Sequence, residues 1–181
     1  MAISERGRAV IAAALAFSMA TTGSAFAAGW AMHELETPLG DKGKALRVDA
    51  KRRSDVHLAI ACDGDTGSRW RGVAVVEDPN SGAQLGMRGD VVIRIGDKTT
   101  RDVWSVRTTT DERRIFSAPE ATRFARRLLR AETESPTAEV TVEIHGVGGK
   151  PVPLTFPLAG LGARIDEIAA KCGAWDIREK E

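Results

Sequence analysis

The chain is 181 residues long, 43% hydrophobic and 28% charged, with 26 Lys and Arg against 25 Asp and Glu. This is the composition of one ordinary globular domain with enough length to bury a core, and it excludes a disordered tail or a membrane-embedded bundle. The near-neutral balance excludes a general nucleic-acid binder, and two cysteines are too few for a disulfide-rich miniprotein or a four-cysteine zinc site.

In chain order, residues 1–27 have the pattern of an export signal. Arg6 and Arg8 give a positive start, Ala9 to Met19 an apolar stretch, and Ala25-Phe26-Ala27 the small residues that a signal peptidase reads. Cleavage is expected after Ala27, leaving 28–181 as a single periplasmic domain. The apolar stretch falls short of the roughly 20 residues a transmembrane span needs, so the mature chain is expected not to span a membrane. No lipobox cysteine follows it. Removing Arg6, Arg8 and Glu5 leaves equal numbers of basic and acidic residues, so an electrostatic partner must be met by a local patch. In an oxidising compartment Cys62 and Cys172 most simply form one disulfide. A redox pair or thiolate metal site is the rival reading, but there is no C-x-x-C spacing.

Trp30 to Leu35 reads as a first short strand, with Pro38-Leu39-Gly40 as a turn. Residues 40–55 are charged and uneven and include Lys51-Arg52-Arg53. Val56, Leu58, Ile60 and Cys62 alternate with Asp55, His57, Ala59 and Ala61, the period of a half-buried strand. After the turn chemistry of Asp63-Gly64-Asp65-Thr66-Gly67, Trp70 to Glu77 reads as its hairpin partner. Asp78 to Gly82 breaks the chain. Val91, Ile93 and Ile95 alternate, and Val103 to Arg107 is expected to pair back on them. Ser117 and Glu120 have capping-box spacing, with Pro119 in the first turn and Ala121, Phe124, Ala125 and Leu128 at helical spacing as far as Arg130. Val140 to Ile144 and Val152 to Phe156 read as a last strand pair around Gly146 to Gly149. Residues 160–172 read as a closing helix with Gly173 at its end. The expected fold is α+β, an antiparallel sheet of about five or six strands with two helices and one disulfide.

Several segments together resemble a known family. They are Val56-His57-Leu58-Ala59-Ile60-Ala61-Cys62, Asp90 to Ile95 followed by Val103-Trp104-Ser105-Val106, the helix with Phe124 and Leu128-Leu129, and Phe156 to Leu161 with Cys172-Gly173-Ala174-Trp175. This outline is similar to the small bacterial envelope proteins described as type VI secretion-associated (VasI/TagO-like). The resemblance covers most of residues 30–175 and implies a soluble periplasmic accessory or binding domain with a Cys62–Cys172 bridge. It transfers no catalytic residues.

The strongest candidate surface is basic. Arg123, Arg126, Arg127 and Arg130 crowd the polar side of the capped helix, preceded by Arg113 and Arg114. Guanidinium groups match carboxylate and phosphate geometry, so the patch suits an anionic glycan, a lipid headgroup or an acidic protein face. Its bland alternative is a solvated helix face, partly neutralised by Glu120, Glu132 and Glu134, with Glu132 and Glu134 reading as exposed. Trp70, flanked by Arg69 and Arg71, is the best candidate for an exposed aromatic contact, whereas Trp104 and Trp175 read as core. The loop from Asp63 fits a turn better than a calcium site, because Ala74 stands where the twelfth-position ligand belongs. His57 and His145 read as solvent-facing strand histidines. With a carboxylate each is the seed of an alternative assembled hydrolase site. No G-x-S-x-G or S-x-x-K motif is present. No catalytic residue, metal or cofactor is therefore assigned.

The leading expectation is a non-enzymatic accessory or binding protein of the cell envelope, with a cell-envelope protein as partner. The alternative is a periplasmic inhibitor of a peptidoglycan hydrolase, reaching out with Asp63 to Arg71.

Overall fold

The period-two segments become strands of a single antiparallel sheet. The computed structural model describes residues 29–36, 42–63, 71–77, 88–108, 114–145, 151–173 and 175–178. The expected signal peptide, Arg69, Trp70, Arg113 and most of the Asp63–Arg71 loop lie outside the described residues. Nine strands and two helices follow in order: β1 (Ala31–Glu36), β2 (Lys42–Ala50), β3 (Arg53–Asp63), β4 (Arg71–Glu77), β5 (Arg88–Ile95), β6 (Lys98–Thr108), β7 (Arg114–Ser117), α1 (Ala121–Glu134), β8 (Glu139–His145), β9 (Leu154–Pro157) and α2 (Leu161–Lys171).

The α+β class and the single disulfide stand, but the strand count of five or six does not. β2 was hidden because Gly43 and Ala45 are buried at positions where a half-exposed strand shows polar residues, which blurs its alternation. β7 is only four residues long and nearly all buried, too short to display a period.

The sheet order is β1-β2-β3-β4-β7-β6-β5-β8-β9, and every neighbouring pair is antiparallel. All three expected hairpins are present, as β3–β4, β5–β6 and β8–β9. The sheet curls until its last strand returns towards its second: the Lys51 N–H, just past β2, donates to Thr155 O at 2.9 Å. Leu46, Leu58, Ile60, Ile93, Trp104 and Phe156 line the concave face. Both helices press apolar residues into it, Phe124, Leu128 and Leu129 from α1 and Leu161, Ile165 and Ile168 from α2. Trp104 meets Phe124 edge to face, centroids 5.5 Å apart. Burial of each such side chain contributes on the order of 1.5–3 kcal/mol.

Helix α1 does not start with the expected capping box. Ser117 is held extended in β7 between Ala74 and Ser105, and its buried Oγ has no hydrogen-bond partner among the described residues. Glu120 is the N-cap residue, without a side-chain cap bond. Its carboxylate instead accepts from Arg123 Nη1 at 2.9 Å. The helix continues past Arg130 to Glu134.

Helix α2 is capped from outside. Glu132, read as exposed, is half-buried, and its Oε1 and Oε2 accept the N–H groups of Gly160 at 2.7 Å and Gly162 at 2.5 Å. These are donors that a helix start otherwise leaves unsatisfied. Gly160 takes φ 84°, and a Cβ on Gly162 would come within 2.8 Å of Glu132 Oε2. At the other end Gly173, φ 65°, ends the helix as expected. Cys62 and Cys172 form the disulfide, tying the end of β3 to the end of α2. Among the described residues no helix is long and apolar enough to cross a membrane.

Candidate functional site

Positions 123, 126, 127 and 130 recur at the three- and four-residue steps that place side chains on one helix face. Since Phe124, Ala125 and Leu128 bind α1 to the core, the arginines must face away from it. The start of β4 then brings Arg71 beside them. Arg71, Arg123, Arg126, Arg127 and Arg130 line one groove of about 720 Å³ together with residues 119–122 at the start of α1. Five of the seven candidate binding residues read from the sequence thus converge; Arg69 and Trp70 lie outside the described residues.

What holds these guanidinium groups matters more than their number. Arg71 Nη2 donates to Cys172 O at 3.0 Å and Gly173 O at 3.2 Å, with the guanidinium 5.7 Å from the Trp175 ring centroid. Arg126 donates through Nε to Ile177 O and through Nη2 to Asp176 O, both at 3.1 Å. Arg127 donates to Thr100 Oγ1 at 2.9 Å and lies over the Phe124 ring. All these acceptors are uncharged, so they orient the cations without cancelling them. Arg123 differs, being paired with Glu120 while its side chain stays 78% exposed. The Asp176 carboxylate reaches Arg126 only at 3.9 Å. Burial first, and the charge of Arg123 second, pull Arg127 below its ordinary value, as expected where cations crowd together.

Trp175 is buried, as the sequence indicated, and it also forms part of the groove's support, donating Nε1–H to Thr122 Oγ1 at 2.9 Å. Neither this role nor that of the Cys172–Ile177 backbone has a local sequence signal. The contacts join residues 50 to 102 positions apart, and backbone carbonyls carry no residue identity.

The histidines are placed differently from expectation. His57 is buried, not solvent-facing, on a face of β3 where Ala59 and Ala61 are buried as well. Its Nδ1 lies 2.7 Å from Asp49 Oδ1. His145 is half-exposed on β8, its Nε2 3.0 Å from Glu143 Oε1. With Asp90, Arg101 and Val103 it lines a cleft of about 360 Å³ on the convex face. The strands carrying His57 and His145 are not neighbours. Among the described residues no group of three or more His, Cys, Asp or Glu could hold a metal ion. Comparison of the chain with protein-family models, with curated proteins and with solved structures gave no match.

Proposed function

We propose that the protein is an exported, non-enzymatic binding protein of the cell envelope that takes an anionic partner in the arginine groove of α1. The observation that carries this reading is the fixing of Arg71, Arg126 and Arg127 by neutral acceptors, which leaves their positive charge available to a ligand. The disulfide supports the oxidising compartment that the amino-terminal pattern implies. The resemblance to type VI secretion-associated envelope proteins makes an accessory role in a secretion assembly the favoured setting.

The test is affinity capture with in-cell crosslinking from native envelope, using the wild type, Arg126→Glu/Arg127→Glu and Asp63→Ala/Trp70→Ala. Loss of the partner in the charge-reversed variant alone supports the groove. Capture of a peptidoglycan hydrolase that survives charge reversal but fails with the loop variant overturns it in favour of the inhibitor reading. One observation favours a hydrolase as second reading: the convex cleft joins His145 to Asp90, with Glu143 beside the imidazole, a pairing suited to general-base work. Hydrolysis of envelope glycan that disappears in His145→Ala would establish it.

A further inference from the structure

The two most firmly fixed cations of the groove are held by one segment from elsewhere in the chain. Beyond α2 the chain turns at Gly173, and residues 175–177 lie beside the amino-terminal half of α1. The carbonyls of Cys172 and Gly173 hold Arg71, and those of Asp176 and Ile177 hold Arg126. Between them Trp175 sits against Arg71 and bonds Thr122. Trp175 and Ile177 are buried, with 3% and 1% exposed, so this strap is part of the core. It is pinned at both ends. Cys172 is bonded to Cys62 of β3, and Arg178 donates to Asp166 and to Gly162 O.

A guanidinium carries five N–H donors in a rigid plane. Arg71 engages its carbonyls through Nη2 alone, and Arg126 uses Nε and Nη2. Among the described residues, each therefore keeps donors on Nη1 while its guanidinium is held in place. Fixing a long side chain before the ligand arrives removes an ordering cost from binding. Resting on the anionic-groove reading above, we propose that the groove is a phosphate receptor whose preset prongs are Arg71 and Arg126, and that the disulfide-anchored strap Cys172–Ile177 presets them.

Phosphate chemistry fits for two reasons. The donors come from different elements, β4 and α1, and a tetrahedral phosphate offers oxygens outside a single plane, whereas a carboxylate offers two within one. Arg71, Arg126 and Arg127 are held at hydrogen-bond distance by uncharged acceptors, with the Asp176 carboxylate only at 3.9 Å from Arg126, so the positive charge they bring to the groove suits a multiply charged group. A soluble phosphate compound and a phospholipid headgroup share this chemistry.

The experiment titrates the oxidised protein with inorganic tripolyphosphate by calorimetry, and with phosphatidylglycerol vesicles against phosphatidylcholine vesicles by sedimentation. Arg71→Gln and Arg126→Gln are each expected to weaken binding about ten-fold, the effect of losing a charge-assisted hydrogen bond, while Arg94→Gln on the convex face leaves it unchanged. Trp175→Leu keeps every charge, so a purely electrostatic groove would not respond to it. The proposal expects roughly three-fold or more weakening with an unchanged salt dependence. If Trp175→Leu does not fold, Trp175→Phe, which keeps a ring but loses the Nε1–H bond to Thr122, takes its place with the same expectation. Preference for tripolyphosphate or for anionic vesicles supports the proposal and identifies the source of the phosphate. A folded strap variant binding as tightly as wild type overturns the strap's role. Arginine variants no weaker than Arg94→Gln overturn the prongs. Wild-type protein that binds neither probe overturns the phosphate receptor, whereas the anionic-groove reading falls only if the captured partner also survives Arg126→Glu/Arg127→Glu.

Discussion

The turn after β2 and the outer face of α1 both carry runs of cations, Lys51-Arg52-Arg53 in one and Arg123, Arg126, Arg127 and Arg130 in the other, yet they are partnered by different chemistry. At the turn, Lys51 pairs with Glu139, and Arg53 forks onto Asp55 through Nε at 3.2 Å and Nη2 at 2.6 Å. The Arg53 bond in turn holds the Asp55 carboxyl below its ordinary value. Along α1 Arg123 pairs with Glu120, but Arg126 and Arg127 rest chiefly on backbone carbonyls, a hydroxyl and the Phe124 ring. A cation tied to a carboxylate is largely neutralised, whereas one tied to a carbonyl is oriented and still charged. Basic density alone therefore does not distinguish a site from a solvated turn, but the identity of the acceptors does.

The strongest way to break this contrast is to release the strap. In Cys62→Ala/Cys172→Ala, opening a loop of 110 residues is expected to lower stability by roughly 4–5 kcal/mol on the chain-entropy account, measured by urea unfolding. Hydrogen exchange adds the regional test. Amide protection of Trp175 and Ile177, which bond to Ala169 O and Trp175 O, should fall before that of β2 and β3. Equal loss in both regions would mean that the disulfide braces the whole sheet and that the difference between the clusters is not local.

Much of this contrast was legible in the residues, and the remainder was not for identifiable reasons. Three- and four-residue spacing was enough to put the arginines on one side of α1, because the apolar positions Phe124 and Leu128 fix which side is buried. Period two revealed three hairpins, and two cysteines in a chain expected to be exported implied the bridge. β2 escaped because Gly43 and Ala45 are small enough to be buried on a convex face, so polarity no longer reports exposure. Arg71 reached the groove only through the tertiary packing of β4 against α1. The capping box failed because ladder bonds to β4 and β6 kept Ser117 in a strand, a tertiary demand stronger than the local motif.

Glu132 sharpens the comparison from the acidic side. In sequence it stands beside the arginine face, where it could serve as a counter-charge, but its carboxylate is bonded to the start of α2. Glu132→Ala is therefore expected to cost about 1–2 kcal/mol, the usual loss when a helix start is left uncapped, with tripolyphosphate affinity unchanged. Tighter anion binding in this variant would show instead that Glu132 damps the groove and that its arginines are less available than their acceptors indicate.

The smallest effect concerns acid. Arg178 hydrogen-bonds Asp166 at 2.7 and 3.0 Å and holds that carboxyl below its ordinary value. A carboxylate depressed in the folded state contributes stability that is present above its unfolded value, about pH 4, and is lost as pH falls through the folded one. The pair is exposed, so no more than about 1 kcal/mol is at stake. Asp166→Asn should be slightly less stable than wild type at neutral pH, with the gap closing under strongly acidic conditions. Asp55 carries the same sign at the basic turn, so acid also loosens its pair with Arg53. The groove arginines are held chiefly by carbonyls, which do not titrate, so their orientation should persist. Carboxyl NMR titration reads both aspartates directly: each should titrate below the ordinary range, and Arg178→Gln should return Asp166 alone to it. An Asp166 that already titrates normally in the wild type would mean that the strap's far end is held by Gly162 O, leaving the disulfide as its principal anchor.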